Sequence, residues 1–209
     1  MTLQNRVDAF GNMVAVNARG TMMGNRGGRI HDPATKMLTR RWASKHWICC
    51  VCAFKGRQRT VMGAGYTELF FLDEVTALAC GHRPCAECRR DDFVRFSKFW
   101  CVAVSGGVMP KADDMDAVLH RERGVSGAGP QPLSSADLAL LPDGAMIAID
   151  DLAYAMRSGL ALPWHFEGYQ KALPLDTLDL DRALLLTPPA LVKVLKAGYQ
   201  PRWHLSAGD

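Results

Sequence analysis

The sequence predicts an α+β fold: a zinc-stabilised small α/β module followed by a small β-rich sheet or partial barrel that carries one helix. Six of the seven cysteines fall between residues 49 and 88, among short strand-like and helical patterns. After residue 136, apolar runs separated by turn residues favour strands. The chain has 209 residues, of which 48% are hydrophobic and 22% charged, so a disordered or collagen-like protein is excluded.

Loop-rich sequence divides the chain into three predicted parts. Residues 1–104 form a basic zinc-binding α/β domain, residues 105–135 a helix and loop linker, and residues 136–209 a β-rich C-terminal domain. The linker is predicted because Gly, Pro and Ser cluster on both sides of one helical pattern. No apolar run reaches the ~18 residues of a membrane helix, and the first ten residues lack the apolar stretch of a signal peptide. We therefore expect a cytoplasmic protein with no membrane association.

The N-terminal half carries an excess of positive charge. Residues 1–100 contain 16 Lys and Arg against 8 Asp and Glu, whereas residues 101–209 contain 9 against 13. A basic half predicts an anionic partner, most simply nucleic acid such as DNA. Ordinary solvated surface charge is the alternative.

A glycine- and arginine-rich segment lies within residues 11–31. Glycine lets backbone amides approach an anion closely, and arginine pairs with phosphate. We predict a phosphate-contacting loop, with a glycine-rich turn between two short strands as the alternative. Six arginines are the predicted nucleic-acid-binding residues: Arg26, Arg29, Arg40, Arg41, Arg57 and Arg59.

The cysteine spacing predicts a metal site. Two Cys-x-x-Cys pairs are present, Cys49/Cys52 and Cys85/Cys88. The odd number of cysteines and the expected cytoplasmic location argue against a disulfide framework. Four thiolates in a closed tetrahedral site are the arrangement that Zn²⁺ favours.

The second pair is predicted to lie at the beginning of a helix. Pro84 favours a tight turn, and the aromatic residues that follow recur at helical spacing. Cysteines at a helix N-terminus have lowered pKa values, which favours the thiolate that a metal needs. Cys85 and Cys88 are therefore predicted metal ligands.

The first pair leaves alternatives open. Trp47 to Phe54 is predicted as a strand, with a turn at residues 55–57 and a return strand over residues 59–62. On a regular strand Cys50 and Cys52 share a face, whereas a knuckle-like turn would pair Cys49 with Cys52. We expect two of these three cysteines to be ligands. If only one is, three histidines are the substitutes: His31, His46 and His82.

A short helix is predicted between the two cysteine pairs. Asp73 caps it, Glu74 begins it and Gly81 ends it. The segment from Phe70 to Arg89, FFLDEVTALACGHRPCAECR, resembles the metal-binding domain of Ada-type DNA-repair proteins. That family places an aromatic strand and a short helix before Gly, an aromatic residue or His, and Arg-Pro-Cys-x-x-Cys. The resemblance implies a zinc-stabilised module associated with DNA. It covers residues 70–89 only, so the family's methyl-accepting cysteine is not carried over to this chain.

The C-terminal third is predicted to be β-rich. Residues 144–150 and 152–157 form a predicted hairpin, and residues 160–164 and 184–186 are further strands. A final helix is predicted with Thr187 as its N-cap, Pro188 as its first residue and a stop at Gly198.

The leading functional hypothesis is a zinc-binding protein with a structural cysteine-ligated site that associates with DNA. An enzyme acting on nucleic acid is one alternative, and whether the chain is an enzyme stays open. Its acid–base candidates are His120, Glu122, His165 and Glu167. Zinc deaminases combine His-x-Glu with Pro-Cys-x-x-Cys, but in the opposite chain order to this sequence. The other alternative is a thiol sensor that releases zinc when Cys49, Cys50 or Cys52 is oxidised or alkylated.

Overall fold

The computed structural model describes residues 2–58 and 60–208 and confirms the α+β class. The described residues form two β-sheets. The first contains β1 (Arg6–Val7), β2 (Met13–Val14), β3 (Met22–Arg26), β4 (Trp47–Val51), β5 (Leu69–Phe71) and β6 (Arg83–Pro84). The second contains β7 (Gln131–Pro132), β8 (Met146–Ile149), β9 (Leu152–Arg157), β10 (Leu160–His165), β11 (Gly168–Tyr169), β12 (Leu173–Pro174) and β13 (Ala183–Leu185). The helices are α1 (Glu74–Ala79), α2 (Arg90–Ala103), α3 (Ala112–Glu122), α4 (Ser135–Ala139) and α5 (Pro189–Lys196).

The first sheet has the order β2-β1-β5-β3-β4-β6, so β3 and β4 are central strands. They pair antiparallel, with Met23 opposite Cys50 and Gly24 opposite Cys49. A Cβ atom at Gly24 would lie 2.4 Å from the carbonyl oxygen of Ile48, so this close pairing requires glycine. The segment predicted as a phosphate-contacting loop is therefore, over residues 22–26, a strand inside the sheet, so these five residues do not form the predicted loop.

The predicted hairpin after β4 does not form in the described residues. β4 ends at Val51, and residues 60–62 form no strand, with 61 and 62 in a turn; Arg59 lies outside the described residues. β4 already pairs with β3 on one side and with β6 on the other, so neither edge is free for a return strand. The parallel pairing of β4 with β6 places Cys49 opposite Pro84, directly before Cys85.

The C-terminal sheet follows the predicted hairpins. β8 pairs with β9 and β9 with β10, all antiparallel, and β13 pairs with β8. The last helix begins one residue later than predicted, because its N-cap is Pro188. The hydroxyl of Thr187 instead accepts a hydrogen bond from the amide of Met146 at 2.8 Å.

The short helix α1 connects the two sheets. All of its residues are buried, and the carboxylate of its N-cap Asp73 accepts a hydrogen bond from the amide of Thr76 at 2.9 Å, as predicted. The same carboxylate accepts from the hydroxyl of Tyr169 on β11 at 2.9 Å. Asp73, which follows β5 of the first sheet, is thus hydrogen-bonded to β11 of the second sheet.

The largest apolar core lies between the second sheet and three helices. Phe96 and Trp100 of α2, Leu119 of α3 and Val194 of α5 pack with Ile147 of β8. α2 belongs to the predicted first domain and shares this core with the second sheet; the three-part division stays a prediction. In the described ranges, no helix is both long and apolar enough to cross a membrane.

Candidate metal centre

Three cysteine sulfurs converge beside the first sheet. The Sγ atoms of Cys50, Cys85 and Cys88 all lie within 4.8 Å of one another. In a tetrahedral zinc site with Zn–S bonds of about 2.3 Å, sulfurs are about 3.8 Å apart, so a small adjustment would let these three hold an ion. Of Cys49, Cys50 and Cys52, from which two ligands were expected, only Cys50 lies with Cys85 and Cys88 among the described residues.

The backbone positions the second pair in a turn that precedes the helix. The amide of Cys85 donates to the carbonyl of Cys49 at 2.9 Å, which fixes this turn against β4. The amide of Glu87 points at the sulfur of Cys85 at 3.4 Å. Helix α2 begins at Arg90 rather than near Cys85, so the prediction that the cysteines open the helix is wrong.

Strand alternation separates Cys49 from the candidate site. Its side chain is buried in a core with Leu69 and Phe71. Its sulfur accepts from the guanidinium of Arg89 at 3.5 Å. Because successive residues of a strand point to opposite faces, Cys50 faces the other cysteines and Cys49 does not. Cys49, one of the candidate ligands, is therefore not a member of the cluster.

Cys52 lies just beyond the end of β4. A regular strand would have placed it on the face of Cys50, but the strand ends at Val51. The side chain is exposed, and its thiol donates to the carbonyl of Thr21 at 3.4 Å. Within residues 2–58 and 60–208, no fourth Cys, His, Asp or Glu joins the group of three sulfurs.

The substitute histidines do not join the cysteines either. The ring of His31 is bonded to the hydroxyl of Thr67 and the carbonyl of Gly63. His82 is buried against the rings of Trp47 and Phe71, and neither of its ring nitrogens has a hydrogen-bond partner among the described residues.

His46 belongs to a second group of potential ligand atoms, with Asp113 and Asp116. Its Nδ1 lies 2.9 Å from a carboxylate oxygen of Asp116. That carboxylate also accepts two hydrogen bonds from the guanidinium of Arg83, at 3.0 and 2.8 Å. Since Arg83 already neutralises Asp116, this group is explained as an ion-pair cluster.

Hydrogen bonds among the sulfurs perturb all three thiols. The bond from Cys50 lowers the pKa of Cys85 to about 5 and also lowers the pKa of Cys88. Sharing its proton with these two sulfurs raises the pKa of Cys50. The hydrogen bonds from Cys50 thus favour the thiolate form of Cys85 and Cys88 and the protonated form of Cys50. A divalent cation would take the place of that proton.

A buried ion network anchors the turn that carries Cys88. The guanidinium of Arg89 lies 2.7 Å from the carboxylate of Glu74 and 2.8 Å from that of Asp92. The hydroxyl of Tyr199 donates to Glu74 at 2.6 Å, and Arg202 pairs with Asp92 at 2.8 Å. These bonds connect α1, α2 and the C-terminal segment directly behind the cysteine cluster. Cysteine spacing does not predict this network; its one sequence signal is Asp92 three residues after Arg89.

A cavity of about 210 Å³ opens beside the sulfurs. Its lining includes all three clustered cysteines together with Cys52, and the side chains of Phe54 and Phe70. Glu68, which is buried, also contributes to the wall. The exposed Arg57 and Glu87 form an ion pair of 2.6 Å at the same cavity. The cysteine cluster is thus accessible to a small molecule.

The predicted nucleic-acid contact Arg26 needs correction. Its side chain is fully buried, donates to the carbonyl of Gly11 at 2.9 Å and stacks on Trp47 at 4.3 Å. Burial lowers the pKa of Arg26 to about 10. As a residue of the central strand β3, it has no access to a phosphate.

The other predicted arginines differ from Arg26 in exposure. Arg29, Arg40, Arg41 and Arg57 are exposed and lie in the segments that follow β3 and β4. Arg29 donates to the carbonyl of Ala64 at 3.1 Å, and Arg41 donates to Asn12 at 3.3 Å. Arg59 lies outside the described residues. Their role toward nucleic acid stays a prediction.

The acid–base candidates are not brought into one site. The carboxylate of Glu122 accepts from the amide of Ala190 at 2.9 Å, and His120 stacks edge-on against Trp42. His165 and Glu167 are exposed in the β10–β11 hairpin. Among the described residues, no hydrogen bond or ion pair joins the two candidates on α3 to the two in the hairpin.

The candidate metal centre thus consists of three sulfurs, the cavity they line and the ion network behind them. The chain matches no protein-family model, no curated protein and no solved structure.

Proposed function

We propose that the protein is a zinc-binding protein in which Cys50, Cys85 and Cys88 hold the ion. The observation that carries this proposal is the convergence of the three sulfurs within 4.8 Å. Thiolates are soft ligands that select zinc over the hard cations Mg²⁺ and Ca²⁺. Zinc also has no redox chemistry of its own, which suits a site built to hold structure.

The proposed role of the ion is structural. It would cross-link β4 to the turn before α2, two elements that are otherwise joined by the short β6 pairing. Metal binding to a site that is absent from the unfolded chain adds its binding free energy to folding. In this proposal the ion stabilises the first sheet and the basic segments that leave it.

Elemental analysis tests the zinc site. Purified protein should contain one zinc per chain, and Cys50→Ser, Cys85→Ser and Cys88→Ser should each lose most of it. Cys101→Ser is the matched control, since Cys101 lies on α2 outside the cluster and should leave the zinc content unchanged. Full zinc content in all three cluster variants would refute the proposal.

Association with DNA is a second proposed function. Its support is the net positive charge of residues 1–100 and the exposure of Arg29, Arg40, Arg41 and Arg57. The resemblance of residues 70–89 to the metal-binding domain of Ada-type proteins points the same way. When a protein contacts DNA phosphates with arginines, its binding weakens as the salt concentration rises. Each contact lowers the logarithm of the binding constant by about 0.9 for every tenfold rise in salt.

Binding to a mixed-sequence DNA duplex tests this second function. We expect affinity to fall steeply with salt, and a combined Arg29→Gln, Arg40→Gln and Arg41→Gln variant to bind more weakly with a shallower salt slope. A combined Arg121→Gln, Lys171→Gln and Arg182→Gln variant is the matched control, because it removes the same number of charges from exposed side chains of the acidic half. Equal effects of the two variants, or no binding at low salt, would refute it.

A further inference from the structure

The three sulfurs leave one corner of a tetrahedral site unfilled by the described residues. We propose that this fourth position faces the cavity and takes the sulfur of a small exogenous thiol. The inference rests on the proposed zinc site and concerns what else binds there. Sites with three protein ligands and an open position differ from closed structural sites in that they accept an outside ligand.

The other cysteine and glutamate side chains that line the cavity, among the described residues, are engaged elsewhere. The thiol of Cys52 donates to the carbonyl of Thr21 at 3.4 Å, and it sits beyond the end of β4. The buried carboxylate of Glu68 accepts from the amide of Met62 at 2.8 Å. Glu87 forms its 2.6 Å ion pair with Arg57. The cavity, by contrast, directly adjoins all three clustered cysteines.

The cavity selects for size. Its volume is about 210 Å³. This is smaller than the roughly 300–1,000 Å³ of pockets that hold drug-sized ligands. The ligand is therefore a low-molecular-weight compound.

The chemistry of the site favours sulfur as the donor. Thiolates are among the soft ligands that select zinc, so a fourth sulfur is compatible with the three already present. Apolar lining by Ile48, Phe54 and Phe70 disfavours a strongly hydrated ion and suits the short carbon chain of a thiol. As the metal–sulfur bond forms, the S–H bond of the thiol breaks and its proton leaves to bulk water. No electron is transferred.

Cobalt(II) substitution of the full chain provides the test. Co²⁺ takes zinc sites, and its thiolate charge-transfer absorbance scales with the number of bound sulfurs. In thiol-free buffer we expect one Co²⁺ per chain with a three-thiolate spectrum. Addition of 2-mercaptoethanol should raise that absorbance about 1.3-fold, from three sulfurs to four. Imidazole at the same concentration should not reproduce the rise.

The Cys52→Ser variant separates an outside ligand from an internal one. We expect it to bind Co²⁺ with the same initial spectrum and the same response to 2-mercaptoethanol. A four-thiolate spectrum before any addition, reduced in Cys52→Ser, would overturn the inference and leave the metal site intact. A stronger response to imidazole than to the thiol would overturn the choice of sulfur. Failure to take up Co²⁺ at all would instead refute the proposed zinc site.

Discussion

Cys49 and Cys50 are neighbours in the chain, yet their sulfurs lie on opposite sides of β4. Cys50 meets Cys85 and Cys88, whereas Cys49 is enclosed in the core beneath Arg89. The two residues therefore have the same chemistry and adjacent positions but different surroundings. This pair offers the cleanest comparison between a metal ligand and a structural thiol in the molecule.

Substituting each of the two cysteines should have different consequences for metal content. Cys50→Ser should reduce metal content strongly, because a ligand is lost. Cys49→Ser should keep one metal per chain but lower the free energy of unfolding by about 1–3 kcal/mol, because it alters a buried contact of a charged group. Metal analysis combined with urea unfolding measures both quantities. Loss of metal in Cys49→Ser at unchanged stability would contradict the assignment.

Alkylation rates should report occupancy of the cluster. In the metal-loaded protein we expect iodoacetamide to modify the exposed Cys52 ahead of the clustered cysteines. After chelation, Cys88 should become the fastest-reacting thiol, because it is partly exposed and the hydrogen bond from Cys50 lowers its pKa. Cys80 is the internal control, since burial raises its pKa to about 12 and it should stay unmodified in both states.

Peptide mapping by mass spectrometry after timed alkylation makes this measurement. The same experiment tests the thiol-sensor alternative, in which modification of Cys49, Cys50 or Cys52 releases zinc. Cys88 reacting equally fast with and without metal would contradict the cluster as the binding site.

The ion network behind the cluster should be costly to break. Arg89 and Glu74 are both fully buried, so Arg89→Met leaves the Glu74 carboxylate without its cation. Removing one partner of a buried ion pair destabilises by about 3–5 kcal/mol. Arg95→Met is the matched control: Arg95 pairs with the same Asp92, but its side chain is half exposed, and such pairs contribute less than about 1 kcal/mol. Denaturant unfolding measures the free energy of unfolding of both variants. Equal losses in Arg89→Met and Arg95→Met would contradict this account of the network.

His82 should make stability depend on pH. Burial lowers its pKa well below 6.5, and the nearby guanidinium groups of Arg26 and Arg123 lower it further. Below pH 6.5 the unfolded chain binds a proton that the folded chain does not, so stability falls as pH falls, by up to about 1.4 kcal/mol per pH unit. His82→Leu should remove this contribution, flattening the dependence below pH 6.5.

Urea unfolding from pH 5 to 8 compares wild type with His82→Leu and with His165→Ala, whose histidine is exposed. We expect the His165→Ala curve to run parallel to wild type and the His82→Leu curve to diverge from it as the pH is lowered. Parallel curves for all three proteins would contradict a neutral buried His82.

Part of the site follows from local sequence rules. The Cys85/Cys88 spacing marks two of the converging residues, Cys50 is one of three candidates that the strand pattern left open, and the capping residue Asp73 correctly marks the start of α1. These features depend only on neighbours in the chain, such as a turn that brings two sulfurs together or a side chain that reaches the first helical amides.

The remaining features depend on where strands end and how they are ordered. Cys52 leaves the cluster because β4 stops at Val51, and Arg26 is buried because β3 lies between β4 and β5. The missing hairpin after β4 has the same origin, since β6 occupies the edge. No local pattern encodes such long-range pairing, which is decided by the burial of the whole sheet.

X-ray absorption at the zinc edge tests the three-cysteine site most directly. We predict a first shell with at least three sulfurs at about 2.3 Å in the wild-type protein, and one sulfur fewer in Cys50→Ser preparations that retain any metal. Substoichiometric zinc, or a shell composed of nitrogen and oxygen alone, would contradict the assignment of Cys50, Cys85 and Cys88 as its ligands.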